Sequence, residues 1–406
     1  MAISLEGHIV AAGPQRAIRR TYAGRVGISQ DVKIVLACSL SAALGVALLG
    51  TPVATSAANA ETAAVLRPST ESAVASLQRS VDSTDPANWS NTKLASRLML
   101  VGVYGSGLGS IKPAVRKGLG GIVLFGAPPS NLGKQLAALR ASAPGDRLLV
   151  SSDEEGGMVQ RLTRLTGKMP TAKRIGQTMT PAQTQAYAYS YGKRLKALGV
   201  GTNLAPVADL KYPGSWTDRD GRAYKTNPAA NGRYVAAFAR GMQAAGVMAT
   251  VKHWPGGGAV VDTHKGAGKT PPWSSLLRRD LVPFRTAFAA GVGAVMISHA
   301  KVPGLSRGLP ATQSAAALRE ARAQAGDRTL IVTDSLMMAA VTSAVRQSQS
   351  RAAVRALAAG ADLALIQGNS SAARKAIADA IANGTIPRAQ AIASARRVIT
   401  AQQSWG

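Results

Sequence analysis

The sequence is poor in cysteine, histidine, aromatic residues and acidic residues. A single cysteine, Cys38, occurs in 406 residues, so an intrachain disulfide and a thiolate metal centre are both excluded. Aromatic residues make up only 4% of the chain and do not cluster with the basic ones, so no nucleic-acid partner is expected. Of the four histidines, two fall in one short stretch, KHWPGGGAVVDTHKG, which contains His253 and His264.

The first 60 residues have the pattern of an export signal. Basic residues precede an uncharged apolar run at residues 34–50, and Ala-Asn-Ala at residues 58–60 matches a cleavage site of the A-x-A type. We therefore expect residues 1–60 to be removed, leaving a secreted or cell-wall-associated chain that begins near Glu61 and keeps no transmembrane segment. A retained membrane anchor is the alternative, but the run is shorter than the roughly 20 residues of a typical spanning helix.

The charge of the chain is strongly positive. Lysine and arginine number 48 against 20 acidic residues, which gives a formal net charge of +28. For an exported protein this charge favours electrostatic association with anionic cell-wall polymers. A solvated basic surface without a specific partner is the other interpretation.

Short apolar runs alternate with segments of helical spacing after a polar segment at residues 61–93. Such runs suit strands buried on both faces of a parallel sheet, and their alternation with helices indicates an α/β fold. The eight runs lie at residues 98–103, 120–125, 147–152, 202–207, 246–251, 293–298, 329–334 and 363–368. They predict a single catalytic domain, a (β/α)8 barrel of the TIM type, over residues 94–406. An open doubly wound sheet is the alternative, but the glycines at 105–109 lack the following acidic residue that would hold a ribose.

Polar residues follow five of the eight predicted strands. In a barrel these positions share the carboxyl face, where active sites are assembled. A single such residue could be a loop residue or a helix cap, but five strands with the same feature indicate a functional site. The residues are Asp153, Glu154 and Glu155 after the third strand, Asp209 after the fourth, Lys252 and His253 after the fifth, His299 after the sixth and Asp334 at the end of the seventh.

These residues favour glycoside cleavage over other chemistries. The sequence contains no G-x-S-x-G nucleophile elbow, and its histidines lack the H-x-H or H-E-x-x-H spacing of a metal site, so neither a metal nor another cofactor is predicted. A carboxylate in the barrel mouth together with a proton donor on a glycine-rich loop suits attack at an anomeric carbon. His264 follows such a loop, and Asp262 is placed two residues earlier to bond one nitrogen of the imidazole.

Five segments, in order along the chain, resemble glycoside hydrolase family 3, and specifically its single-domain β-N-acetylglucosaminidases. They are SSDEEGGMVQRL (151–162), NLAPVADL (203–210), GRAYKTNP (221–228), KHWPGGGAVVDTHKG (252–266) and VTDSLMM (332–338). The resemblance implies a retaining exo-β-N-acetylglucosaminidase, and the expected export together with the basic charge suits cell-wall fragments as its substrate. Asp334 matches the nucleophile, and His264 with Asp262 matches the acid/base dyad. The positions that match the sugar-binding residues are Asp153, Arg161, Arg222, Lys252 and His253.

Other functions remain open at this stage. The chain has Gly257 where the family commonly has histidine, Glu154 where it has glutamine, and Lys265 after the proposed acid, and these departures bear on substrate preference. A related β-glucosidase is one alternative. A phosphorylase is another, because a neutral imidazole base repels phosphate less than a carboxylate does. A non-catalytic barrel that binds wall or sugar is the third.

Overall fold

The computed structural model describes residues 84–105, 107–258, 260, 266 and 268–406. The predicted export signal, residues 61–83 of the polar segment, and both members of the predicted acid/base dyad, Asp262 and His264, lie outside the described residues. Among the described helices, none is both long and apolar enough to cross a membrane.

Eight parallel strands form a closed barrel. The strands are β1 (Met99–Tyr104), β2 (Gly121–Phe125), β3 (Leu149–Ser152), β6 (Thr202–Asn203), β7 (Met248–Trp254), β8 (Ala294–Ile297), β9 (Leu330–Thr333) and β10 (Ala364–Ile366), with β4 (Glu154–Gly156) and β5 (Val159–Gln160) as a separate antiparallel hairpin. The sheet order is β10-β1-β2-β3-β6-β7-β8-β9. A parallel bridge between Val332 and Leu363 joins β9 to the chain just before β10 and completes the circle. The predicted (β/α)8 fold is confirmed.

Helices surround this barrel. They are α1 (Asn91–Arg97), α2 (Leu108–Arg116), α3 (Leu132–Arg140), α4 (Thr163–Thr166), α5 (Ala172–Thr178), α6 (Pro181–Ala197), α7 (Trp216–Arg219), α8 (Pro228–Ala244), α9 (Trp273–Arg278), α10 (Leu281–Ala289), α11 (Ala315–Ala325), α12 (Gln349–Ala359), α13 (Ser370–Ala382) and α14 (Arg388–Trp405). The two 17-residue helices, α6 and α8, both have proline in the first turn and a side-chain cap, from Thr180 and Asn227 respectively.

Two local features differ from the expectation of eight simple strands. The fourth predicted strand is only two residues long, although the Ala205 and Pro206 carbonyls beyond it still accept from the Thr250 and Lys252 N–H groups of β7. The segment after β3 folds back as the β4–β5 hairpin, which the apolar pattern did not predict. Its turn uses Gly156 and Gly157, whose φ angles of 94° and 62° are costly for residues with a side chain.

The apolar residues pack in two layers, one inside the barrel and one between strands and helices. The inner cluster includes Leu100, Val123, Leu149, Leu204, Met248, Met296, Val332 and Leu365. Helix α14 supplies Val398 and Ala401 to this inner cluster. Gln402 on the same helix donates to the Gly120 carbonyl at 2.7 Å, immediately before β2. Helix α14 therefore closes the amino end of the barrel and leaves the carboxyl end as the open face.

Asp362, just before β10, is the main polar anchor of the closed end. Its side chain is fully buried and accepts hydrogen bonds from Ser394 at 2.8 Å, from Arg397 at 3.0 Å and from the Ile331 N–H at 2.9 Å. The guanidinium of Arg322 is a further ion-pair partner. One carboxylate thus ties α11 and α14 to the seam between β9 and β10.

Replacing Asp362 with asparagine should lower the free energy of unfolding by about 3–5 kcal/mol, because it leaves two arginines at a buried site without their anion. The matched control is Asp379→Asn, which breaks an exposed pair with Lys375 and should cost no more than about 0.5 kcal/mol. Urea unfolding of both variants measures the difference. Equal midpoints would show that Asp362 is not an anchor.

Candidate active site

One pocket of about 780 Å³ opens at the carboxyl ends of the strands. All six of the predicted site residues that the structure describes line it. These are Asp153, Arg161, Arg222, Lys252, His253 and Asp334. The structure does not describe Asp262 and His264, so the predicted acid/base dyad cannot be placed relative to this pocket.

Lys252, near the end of β7, is the centre of a charge network on one wall of the pocket. Its ammonium group lies 2.7 Å from Asp153 Oδ1 and 2.6 Å from Glu155 Oε1, and its side chain is only 3% exposed. Arg222 donates two bonds to Glu155, at 2.7 and 2.8 Å. Two cations thus balance two carboxylates. Such compensation is what a buried lysine needs in order to remain charged.

The pKa values in this network shift toward the charged forms. Burial alone would raise the pKa of Glu155, but the charges of Arg222 and Lys252 lower it far below its ordinary range. Burial alone would lower the pKa of Lys252, but Asp153 and Glu155 raise it instead. Glu155, Lys252 and Arg222, whose pKa is likewise raised by Glu155, are therefore held in their charged forms. They can hold sugar hydroxyls as fixed donors and acceptors, but they are poorly suited to proton transfer.

Arg161 is the more exposed cation of the site. Its Nη2 lies 3.8 Å from Asp153 Oδ2, its side chain is 34% exposed, and its guanidinium stands 5.7 Å from the centre of the Phe125 ring. The long ion pair and the exposure leave it accessible to a ligand in the pocket.

Glu154 supports Arg161 from outside the pocket. Its buried carboxylate accepts from the N–H groups of Arg161 and Leu162 at 3.1 Å each and from the Tyr191 hydroxyl at 2.7 Å. Burial raises the pKa of Glu154 despite these donors. Glu154 stands where the family commonly has glutamine. Its side chain packs beneath the β4–β5 hairpin and does not line the pocket.

His253 is fixed by Asp209, which follows β6. Asp209 Oδ2 accepts from His253 Nδ1 at 2.7 Å, and Oδ1 accepts from the backbone N–H groups of His253 and Gly257 at 3.2 and 2.6 Å. Since a carboxylate only accepts, the hydrogen resides on Nδ1, and Nε2 is the nitrogen left for a ligand. A Cβ at position 257 would lie 3.0 Å from Asp209 Oδ2, so glycine suits this close approach.

Asp334 lies on the turn after β9 and is half-buried. The Ser335 N–H donates to its Oδ1 at 2.7 Å. His299 Nε2 donates to the Ser335 carbonyl at 2.8 Å, and His299 Nδ1 is 2.9 Å from the Thr312 hydroxyl. Burial would raise the pKa of Asp334, but His253, His299, the Ser335 N–H and Lys252 together lower it. Asp334 is therefore an ionised carboxylate across a wide range of pH.

A hydrogen-bonded chain links the Asp334 turn to the rim of the pocket. The hydroxyl of Ser335 bonds Gln367, whose Nε2 donates to the Tyr104 hydroxyl at 2.8 Å. The Tyr104 ring stacks on Phe125 with 5.3 Å between centroids and is 58% exposed. The strand ends of β1, β2 and β10 thus supply the rim opposite the Lys252 network.

The sequence analysis gave no individual role to several residues that the structure places here. It expected Glu155, Asp209 and His299 at the carboxyl face, because each follows a strand, but it could not predict which side chains they contact. Tyr104 and Gln367 gave no signal, because they are separated by 263 positions in the chain and meet only when β1 and β10 pair.

Comparison with known proteins identifies the family. The model of the glycosyl hydrolase family 3 N-terminal domain matches residues 115–401. The chain belongs to glycosyl hydrolase family 3. The resemblance found in the sequence, to glycoside hydrolases of this family, is therefore confirmed.

Individual relatives are similar over much of the barrel. The β-hexosaminidase LpqI of Mycobacterium tuberculosis is 38% identical over 226 residues, which cover 54% of this chain and 58% of that protein, so the match spans little more than half of the relative's length. A β-hexosaminidase of Stenotrophomonas maltophilia is 34% identical over 261 residues, covering 61% of this chain and 77% of that protein.

Solved structures agree with the fold. A family 3 glycosyl hydrolase from Mycobacterium smegmatis superposes with a TM-score of 0.73 at 33% identity, covering 78% of this chain and 98% of the other. A family 3 β-N-acetylglucosaminidase from Paenibacillus gives a TM-score of 0.72 at 31% identity, covering 77% of this chain and 62% of the other.

The pH dependence of catalysis should report the surroundings of Asp334. His299→Gln keeps a donor for the Ser335 carbonyl but removes the positive charge that helps to lower the Asp334 pKa. That pKa should therefore rise, and the acid limb of kcat/KM for glycoside hydrolysis should move to higher pH by up to about one unit. Thr312→Val, which keeps the imidazole, is the control. A limb that moves equally in both variants, or in neither, would contradict this account.

Proposed function

We propose that the protein is a retaining exo-β-N-acetylglucosaminidase that removes terminal N-acetylglucosamine from cell-wall fragments. The observation that carries the proposal is an ionised Asp334 in the same pocket as the Lys252 network and Arg161. Relatives named β-hexosaminidase and β-N-acetylglucosaminidase support this choice of sugar. Retaining glycosidases typically have a pocket in which polar side chains bind the sugar hydroxyls beside a carboxylate nucleophile.

In the proposed first step, Asp334 attacks the anomeric carbon. The Ser335 N–H holds Oδ1 at 2.7 Å, so Oδ2 is the oxygen suited to attack. A glycosyl ester forms on Asp334 as the bond to the leaving oxygen breaks. Asp153 and Glu155 cannot take this role, since Lys252 lies 2.7 and 2.6 Å from them, respectively. The ionised pairs instead bind the sugar hydroxyls, together with Arg161.

Proton transfer is assigned to the loop beyond Gly258. We propose that His264, oriented by Asp262, gives a proton to the leaving oxygen and then takes one from the water that cleaves the ester. The described groups of the pocket support this assignment, because Glu155, Lys252 and Arg222 have pKa values shifted toward their charged forms, and His253 is already bonded to Asp209 at 2.7 Å. Histidine titrates near neutrality, so it can serve in both steps.

Release of nitrophenol from its β-N-acetylglucosaminide, with the β-glucoside as the competing substrate, tests this function. Asp334→Asn should lower kcat about 10³-fold or more, because it removes the nucleophile while keeping the shape of the side chain. Asp379→Asn, on the exposed face of α13, should leave the rate unchanged.

Other results of that assay would change the assignment. Preference for the β-glucoside would favour a β-glucosidase, and formation of a sugar 1-phosphate on addition of phosphate would show a phosphorylase. Inactivity of the folded wild type on both glycosides would favour a non-catalytic wall-binding barrel.

We also propose that the protein is exported and held electrostatically at the anionic cell wall. The support is the signal-like pattern of residues 1–60 and the net charge of +25 that remains after that segment, with its five basic and two acidic residues, is removed. Mass spectrometry of the protein from the cell exterior should give a chain that begins near Glu61. An intact N-terminus in a cytoplasmic fraction would refute this localisation.

A further inference from the structure

A groove leaves the catalytic pocket at Tyr104 and runs down the side of the barrel. Tyr104 lines the catalytic pocket and also a neighbouring cavity of about 400 Å³ between the start of α2 and the start of α13. This cavity shares Ser110 and Ser370 with a second one of about 200 Å³. The second shares Lys117 and Arg374 with a third of about 370 Å³ near Pro144. We call these three contiguous cavities the side groove.

Small residues keep the upper part of this groove open. Gly102, Gly107, Ser110 and Ser370 all line it. The first turns of α2 and α13 therefore border a channel whose polar lining begins at the rim of the active site.

The lower part of the groove is cationic. Arg116, Lys117 and Arg374 line it, and no acidic side chain among the described residues lines any of its three cavities. None of the ion pairs found in the described part of the chain includes these three residues. By contrast, Arg322 and Arg397 at the closed end of the barrel are both paired with the carboxylate of Asp362. Cations gathered in a concave surface without counter-charges attract anions.

The length of α2 limits what could reach these cations. Lys117 directly follows α2, seven positions after Ser110 of the upper cavity, which corresponds to roughly 10 Å at the helical rise of 1.5 Å per residue. An extended chain covers this distance in about three residues. A ligand whose terminal sugar fills the catalytic pocket must therefore continue well beyond the bond that is cut before it meets Lys117 and Arg374.

We propose that the side groove binds the remainder of the substrate beyond the scissile bond, and that Lys117 and Arg374 pair with carboxylates on it. This inference rests on the proposed function, because an exo-acting enzyme holds one terminal sugar in the pocket and leaves the rest outside. It specifies the substrate class as an extended, carboxylate-bearing fragment. Tyr104, exposed at the rim, lies between the two parts of the substrate.

The test compares three substrates: the nitrophenyl glycoside, a wall fragment with terminal N-acetylglucosamine and free peptide carboxylates, and the same fragment with its carboxylates amidated. In Lys117→Glu/Arg374→Glu, KM for the free-acid fragment should rise about fivefold to tenfold relative to KM for the nitrophenyl glycoside. Two exposed ion pairs turned into repulsions account for this magnitude. The same ratio for the amidated fragment should stay within about twofold of the wild type.

The control variant carries the same change of charge elsewhere. Lys193→Glu/Arg233→Glu alters two exposed basic residues, on α6 and α8, helices that do not border the groove. It should leave all three KM values unchanged. Raising the salt concentration should raise KM of the wild type for the free-acid fragment and lower KM of the groove variant for it, since salt screens the attraction in the first and the repulsion in the second.

Each contrary result is informative. An unchanged KM ratio in the groove variant, or the same rise in the control variant, overturns the proposal. An equal loss on the free-acid and amidated fragments would show that the groove binds uncharged parts of the ligand, which also overturns it. If the wild type does not cleave the nitrophenyl glycoside, the proposed function fails. Calorimetric binding of the free-acid fragment to the wild type and the groove variant then still decides whether the groove binds it.

Discussion

The contact of Lys252 with Asp153 and Glu155 is the interaction on which the pocket depends. An ammonium group that is 3% exposed is costly to desolvate, and it is retained here because two carboxylates lie within 2.7 Å. Glu155 is compensated in turn by Lys252 and Arg222. The four charges come from three separate parts of the barrel, after β3, before α8 and at the end of β7. Their mutual neutralisation therefore holds these three parts in one arrangement.

The opposite side of the pocket uses neutral hydrogen bonds around a single charged group. Asp334 receives the Ser335 N–H, while His299 and Gln367 hold the carbonyl and hydroxyl of the same serine. Ser335 is thus the residue through which β8 and β10 position the carboxylate. This division has a chemical consequence. The charges of the Lys252 network neutralise one another, whereas Asp334 has no ion pair of its own among the described contacts, and its negative charge stays available to a ligand.

The sequence predicted the barrel well because its physical cause is local. Strands buried on both faces must be almost continuously apolar, so each of the eight barrel strands can be recognised in the sequence as a short apolar run. The same logic placed Asp153, Lys252 and Asp334 at one end of the barrel. It could not separate Glu154 from Glu155, since adjacent strand residues point to opposite sides and the β4–β5 hairpin was not visible in the apolar pattern. Glu154 faces Tyr191 beneath the hairpin, and Glu155 faces Lys252. Asp362 was missed for a related reason, since its arginine and serine partners lie far away in the sequence.

Gly257 stands where the family commonly has histidine, and in this chain its backbone N–H contacts the carboxylate of Asp209. Asp209 is fully buried and uses one oxygen for the N–H groups of His253 and Gly257 and the other for the imidazole of His253. A Cβ at 257 would lie 3.0 Å from that carboxylate, which would then have to shift by a few tenths of an ångström. Beside it, a Cβ at Gly256 would meet Asp280 at 2.8 Å. The loop that leads to His264 therefore begins on two glycines packed against two carboxyl groups. The close packing itself favours glycine at 257, because this start of the loop positions His253 through Asp209.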